Sequence, residues 1–216
     1  MATASQSLFN MTVASDNAGG NQGLLMPKLQ FRFRVNFLNF GVDSTGGLQL
    51  TKQVIDCSRP NLSFAEIPLQ IYNSTLKIAG KHTWADMSVN IRDDASGTVS
   101  KAVGQQLQKQ LDFVEQASAA TGQDYKFQTN IEILDGGNGT LAPTVLETWE
   151  LYGCFLKSAN YNNLNYGASE AVTIALAIAY DNAIQSPLTA GVGTTVGRAF
   201  SGSTGIATGI GTQGQQ

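Results

Sequence analysis

Leu76-Lys77-Ile78-Ala79-Gly80-Lys81-His82-Thr83-Trp84-Ala85-Asp86-Met87-Ser88-Val89-Asn90-Ile91-Arg92-Asp93-Asp94 is the stretch whose reading decides the fold class of this chain. Met87, Val89 and Ile91 alternate with Ser88, Asn90 and Arg92. A period of two buries one face of a β-strand and wets the other. Gly80 falls where a preceding strand is expected to end, and lacking a Cβ it takes backbone shapes that other residues resist. The stretch therefore reads as a hairpin or strand–turn–strand unit, with Asp93-Asp94 stopping the second strand.

The same period recurs on both sides of this unit. Leu29, Phe31, Phe33, Val35 and Phe37 alternate with Gln30, Arg32, Arg34 and Asn36. Residues 41–47 turn the chain, and 48–57 read as an antiparallel partner strand. Residues 62–72 are extended but contain Pro68. Proline withholds a ladder N–H, which assigns this piece to an edge strand or a projecting segment. Beyond the opening stretch the period lengthens: Val99, Val103, Leu107, Leu111 and Val114 share one helical face, opposed by Gln105, Gln108, Lys109, Asp112 and Glu115. Ser96 or Thr98 is placed to cap this helix, and Gly122 to end the region. Tyr125, Phe127, Thr129, Ile131 and Ile133 return to a period of two, a glycine-rich hairpin turn follows at 135–139, and 145–156 form the returning strand. The last strand, 171–180, sets Val172, Ile174, Leu176, Ile178 and Tyr180 against the small residues Thr173, Ala175, Ala177 and Ala179. Six or seven strands and one helix predict a mainly β domain: two packed antiparallel sheets, sandwich- or barrel-like, with one flanking α-helix.

Three segments are expected along the 216 residues: an N-terminal arm (1–26), a domain (27–187) and a tail rich in Gly, Ser and Thr (188–216). Neither end carries the apolar periodicity of an independent core, so both are expected to gain order only against other subunits. Leu8, Phe9 and Phe200 are their apolar anchors. Charged residues make up 13% of the chain, about half the usual share. Such a surface either packs against other subunits or is simply neutral and polar. A net charge of −3 argues against gripping nucleic acid through its phosphates, while leaving room for a pore through which it slides. The first residues lack a basic region followed by an apolar run, so no secretory leader is expected, and no run is long enough to span a bilayer. Cys57 and Cys154 have no metal-site spacing and are expected to be free thiols.

Catalytic constellations are not evident. His82 is the single histidine, and a surface or hydrogen-bonded role suits it better than catalysis or metal binding, even with Asp86 four residues on. Asp93 and Asp94 point to opposite faces of a strand end and read as a solvated turn. The glycines at 136–139 precede a strand and not a helix, so they are no phosphate cradle. Arg32 and Arg34 share the wet face of their strand with Gln30 and Asn36, a small basic patch or a solvated face.

Several phrases resemble the tail tube proteins of contractile-tailed bacteriophages. They are the first strand, 27–35; the Pro68 segment, Leu62-Ser63-Phe64-Ala65-Glu66-Ile67-Pro68-Leu69; the step Ile78-Ala79-Gly80-Lys81 leading to Thr83-Trp84-Ala85-Asp86 and the alternating strand; and Val172-Thr173-Ile174-Ala175-Leu176-Ala177-Ile178-Ala179-Tyr180-Asp181 near the end. In order, they cover roughly 27–185 and leave the glycine-rich tail unaccounted for. The resemblance implies a structural protein without catalytic, cofactor or metal residues. It implies hexameric rings stacked into a tube inside a contractile sheath, capped by terminator and baseplate proteins, with genomic DNA passing through the lumen without specific binding. The expected site would be a virion tail assembled in the host cytoplasm, without membrane insertion by this chain. The inner tube of a type VI secretion or extracellular contractile injection system is the alternative. Phe64, Ile67, Pro68 and Leu69, with Leu8, Phe9 and Phe200, are the expected subunit-interface residues. Glu132, Glu147 and Glu150 are expected to line a neutral to acidic lumen, because a basic one would hold the DNA backbone.

Overall fold

A computed structural model describes residues 28–42, 44–136, 142–186 and 192–193. Leu8, Phe9 and Phe200 lie outside them. The chain divides after Arg32 into two units. In the described part of the first, the Arg32 amide donates to the Leu29 carbonyl at 3.2 Å, and the Arg32 guanidinium stands 5.5 Å from the Phe31 ring centre. The strand expected from Leu29 is a turn there, and its ladder begins only at Phe33.

The second unit runs β1 (Phe33–Leu38), α1 (Ser44–Gln53), β2 (Val54–Cys57), β3 (Leu62–Ile71), β4 (Ser74–Trp84), β5 (Met87–Arg92), α2 (Thr98–Gln110), β6 (Leu111–Asp112), β7 (Ala117–Ser118), α3 (Gly122–Tyr125), β8 (Phe127–Leu134), β9 (Val145–Asn160), β10 (Thr173–Ala179) and β11 (Asn182–Ser186). All its pairings are antiparallel. β9 organises them. Its first part lies between β8 and β11, with Leu134 opposite Val145 and Ser186 opposite Thr148. Its last part pairs with β10, from Ala179 opposite Phe155 to Ala175 opposite Asn160. One sheet is therefore β1-β8-β9-β11 and the other β9-β10-β5-β2, with β9 common to both.

Gly153 makes that crossover possible. Its φ is +67°, and a Cβ there would stand 2.1 Å from Asp181 Oδ2. Only glycine takes this backbone shape without strain and leaves that space open. Opposite it the second strand changes sheet too: the Asp181 amide donates to the Tyr152 carbonyl at 3.0 Å, between the end of β10 and the start of β11.

The period-two residues form one core. Val35, Phe37, Ile131 and Leu151 enter it from the first sheet, Val89, Ile91, Leu176 and Ile178 from the second, and Val99, Ala102 and Val103 from α2. Phe37, Phe40 and Phe127 pack as a ring cluster, Phe40 and Phe127 edge to face at 4.9 Å. The fold class is as expected from the sequence, mainly antiparallel β with few helices; the sheets are not closed into a barrel.

Several boundaries differ from expectation. Residues 48–53, read as strand, belong to α1. The Gly46-Gly47 pair suggested a turn, but Gly47 is a contact residue: a Cβ there would stand 2.3 Å from the Phe37 carbonyl oxygen, so only glycine lets α1 lie this close to β1. The opening stretch is not a hairpin. β4 runs through Gly80 to Trp84 and pairs with β3, while β5 pairs with β2 and β10. Gly80 packs closely within the β3–β4 pair, where a Cβ would meet the Ala65 carbonyl oxygen at 3.0 Å.

α2 ends at Gln110 although Leu111 and Val114 keep the helical period. The Gln110 side chain accepts from the Leu156 amide and donates to the Leu156 carbonyl, both at 2.9 Å, so it completes the ladder of β9 as a backbone would. The helix start is held by Asp94, and not by Ser96 or Thr98. The Asp94 carboxylate accepts from the Val99 amide at 3.1 Å and from both hydroxyls.

Candidate assembly surfaces

β3 and β4 form a two-stranded ribbon, a sheet separate from the other two. Ile67 lies opposite Ile78, Leu69 opposite Leu76 and Ile71 opposite Ser74, and directly opposed residues share a face. One side of the outer ribbon is thus an apolar stripe of Ile67, Leu69, Ile71, Leu76 and Ile78, each between 42% and 50% exposed. The other side is polar: Lys77 pairs with Glu66 at 2.7 Å, and Thr75 donates to Gln70 at 2.9 Å. Pro68 sits on this polar side, opposite Lys77. The turn residue Tyr72 has φ +40° and is fully exposed. At the root the apolar side is the opposite one, where Phe64, His82 and Trp84 pack in a row with ring centres 6.3 Å apart. The row ends on Tyr180, 5.7 Å beyond Trp84.

A two-stranded ribbon is marginal in water and needs a further layer on its apolar side. Phe64, Ile67 and Leu69, named from the sequence, stand on this ribbon in half-exposed positions. Ile71, Leu76 and Ile78 complete the stripe. The sequence does not single them out, because β4 reads there as half of a hairpin with β5, and only the β3–β4 register shows what they face.

The outer face of the first sheet carries two of the three expected lumen residues. Glu132 takes the Arg34 guanidinium and accepts from Asn36 Nδ2 at 3.0 Å. Glu150 accepts from the Tyr152 hydroxyl, which raises the pKa of that phenol. Asn130 lies opposite both Asn36 and Glu150, so neutral amides separate the charges. Glu147 differs from its expected place. Its side chain is 2% exposed on the inner face, where Oε1 accepts from Trp149 Nε1 at 2.6 Å, Gln185 Nε2 at 2.7 Å and Arg59 Nη2 at 2.9 Å. Strand membership was legible, but the face was not, because a buried carboxylate interrupts the apolar alternation.

The remaining ionisable candidates have structural partners. Asp86 pairs with Lys157 at 2.5 Å and not with His82. The hydroxyls and amide on Asp94 lower its pKa to about 2. Burial, with Asp56 adjacent, pushes the Cys57 thiol up to about 11, and burial does the same to Cys154. Both thiols are free. A surface depression of about 510 Å³ lies within one loop, between Asn162 and Thr173, and its ionisable side chains are Tyr166 and Glu170. Among the described residues no three His, Cys, Asp or Glu side chains gather to hold a metal, and no helix is long and apolar enough to cross a membrane.

No protein-family model and no curated protein matches this sequence. Solved structures resemble the fold. The sheath–tube complex of an extracellular contractile injection system (PVC), in its extended state, has a chain 13% identical with a TM-score of 0.54, over 75% of this chain and 93% of that one. The tube-terminating cap of the anti-feeding prophage gives 12% identity and 0.53, over 77% and 95%. A chain of the anti-feeding prophage baseplate gives 14% and 0.51, over 79% and 99%. At such identities the likeness is one of fold: a double antiparallel sheet shared with components of contractile injection machines.

Proposed function

We propose that this chain is a structural subunit of a contractile injection machine, building its inner tube from copies of itself. The apolar stripe of the β3–β4 ribbon carries the reading. A separate ribbon with five half-exposed aliphatic residues on one side calls for a partner surface. The phage-tail resemblance supplies the geometry: hexameric rings, stacked, around a lumen. Within that geometry the ribbon covers a neighbouring subunit, and the outer face of the first sheet, with Glu132 on Arg34 and Glu150 on Tyr152, is the candidate lumen wall. Sheath, baseplate and terminator proteins are the further partners. No chemistry is asked of the chain beyond assembly.

Two settings use such a tube. One is a phage tail, assembled in the host cytoplasm and passing genomic DNA. The other is an extracellular contractile injection system carrying a different cargo. The PVC and anti-feeding prophage likenesses favour the second, the sequence phrases the first.

Electron microscopy of the purified chain at rising concentration tests the reading. Hollow tubes with sixfold end-on views are expected. A monomer that stays monomeric at high concentration, and is not recruited to tubes by added baseplate components, refutes it. The nucleic acid content of tubes isolated with their sheath separates the two settings.

A further inference from the structure

Among the described residues the ribbon is joined to the double sheet through its root. On one side the root is 58–61, between β2 and β3, and on the other Ala85-Asp86, between β4 and β5. Backbone bonds close it: Ser58 N–H to the Ser88 carbonyl and Ala85 N–H to the Asn61 carbonyl, both 2.9 Å. The β4 side is further held by Trp84 against Tyr180 and by Asp86 on Lys157. The β3 side is held by Arg59, whose guanidinium reaches Glu147.

Glu147 is an unusual acceptor. A carboxylate withdrawn from water is costly unless charge and hydrogen bonds compensate it. Here Trp149 of β9 and Gln185 of β11 bind the same oxygen that Arg59 reaches. Both donors belong to the first sheet and orient that oxygen from within it. A neutral amide oxygen could still accept from both donors. What the negative charge adds is a directional hold on the half-exposed Arg59, which otherwise stays in water.

We propose that Glu147 is the positioning residue of the ribbon: through Arg59 it sets the direction in which the apolar stripe is presented to a neighbouring subunit. This rests on the tube reading. It assigns a role in assembly to a side chain buried within its own subunit.

The test uses the full chain with Glu147→Gln, which keeps shape and an acceptor for Trp149 and Gln185, and with Arg59→Gln, which acts from the ribbon side. Hydrogen exchange in the isolated subunit compares Ala85 with Val89 and Leu176 of the core. Both variants are expected to speed exchange at Ala85 about tenfold or more, while the two core amides change little. The critical concentration for tube formation is expected to rise by a similar factor. Equal acceleration at root and core means that Glu147 only stabilises the sheet, and overturns the proposal. So does unchanged exchange at Ala85, or a loosened root with an unchanged critical concentration. If the wild-type chain forms no tubes, the tube reading fails, and exchange at Ala85 alone still decides whether Glu147 holds the ribbon.

Discussion

Placing aspartates at Ile67 and Leu69 separates folding from assembly. Full burial of an isoleucine or leucine is worth about 1.5–3 kcal/mol. The five stripe residues are about half exposed, so covering the stripe supplies roughly 4–7 kcal/mol per subunit. The double variant removes about two-fifths of that and forces two carboxylates into an apolar contact, each with a desolvation penalty of several kcal/mol. The loss exceeds about 5 kcal/mol, and at about 1.4 kcal/mol per tenfold this raises the critical concentration more than roughly a thousandfold. The isolated subunit loses much less. Only the cross-strand contacts with Ile78 and Leu76 weaken, each worth about 0.2–1 kcal/mol, and neither side chain enters the core. Sedimentation velocity and negative-stain microscopy read assembly, and circular dichroism reads the fold. Tubes forming from the folded double variant at the wild-type concentration would refute the claim that the stripe is an interface.

Gly153→Ala places a methyl group on Asp181 at positive φ and is expected to cost about 2–4 kcal/mol, read as a lower denaturant midpoint with unchanged slope. Asp94→Ala removes the carboxylate that holds the start of α2, lowering the melting temperature by about 2–4 °C at pH 7. Asp94→Asn, which keeps an acceptor, stays closer to the wild type. Because the folded pKa of Asp94 is depressed to about 2, its contribution is present above about pH 4 and lost as the pH falls towards 2, so the Ala variant and the wild type converge there. With both thiols pushed up to about 11, Cys57 and Cys154 are neutral at pH 8. Titration with a disulfide reagent is expected to be slow in the native protein and to find two thiols after denaturation, and a covalent dimer on a non-reducing gel would contradict it.

Period two made the sheets legible where one face is buried. Met87, Val89 and Ile91 are buried as their alternation predicts, and so are Phe127, Thr129 and Ile131. The ribbon was legible as an exception, because Pro68 is incompatible with a central strand. What the sequence hid were residues with two roles. Gly47 signals a turn but serves a close helix–strand contact, and Gly80 signals an end but packs inside a strand pair. Leu111 and Val114 continue a helical period that Gln110 has already interrupted by bonding to β9. β11 is hidden in the sequence because Asp181 and Asn182 read as the end of a strand, whereas they mark the passage to the other sheet. Arg59 and Glu147 stand 88 positions apart, and no local pattern joins them.

The sharing of β9 also bears on the order of folding. Before residue 145 leaves the ribosome, the first sheet can be no more than β1 with β8, and the second no more than β5 with β2. Neither pair has a neighbour on its other side, and the β1–β8 pair closes a long loop, from Leu38 to Gln128 at its tightest. Loop closure on that scale is costly until further contacts reward it. β9 then adds to the β1–β8 pair, β10 links it to the β5–β2 pair, and β11 completes the first sheet, all within the next few dozen residues. Folding is therefore expected to come late in synthesis and as a single step. The ribbon, made much earlier, has no completed sheet to root on until then.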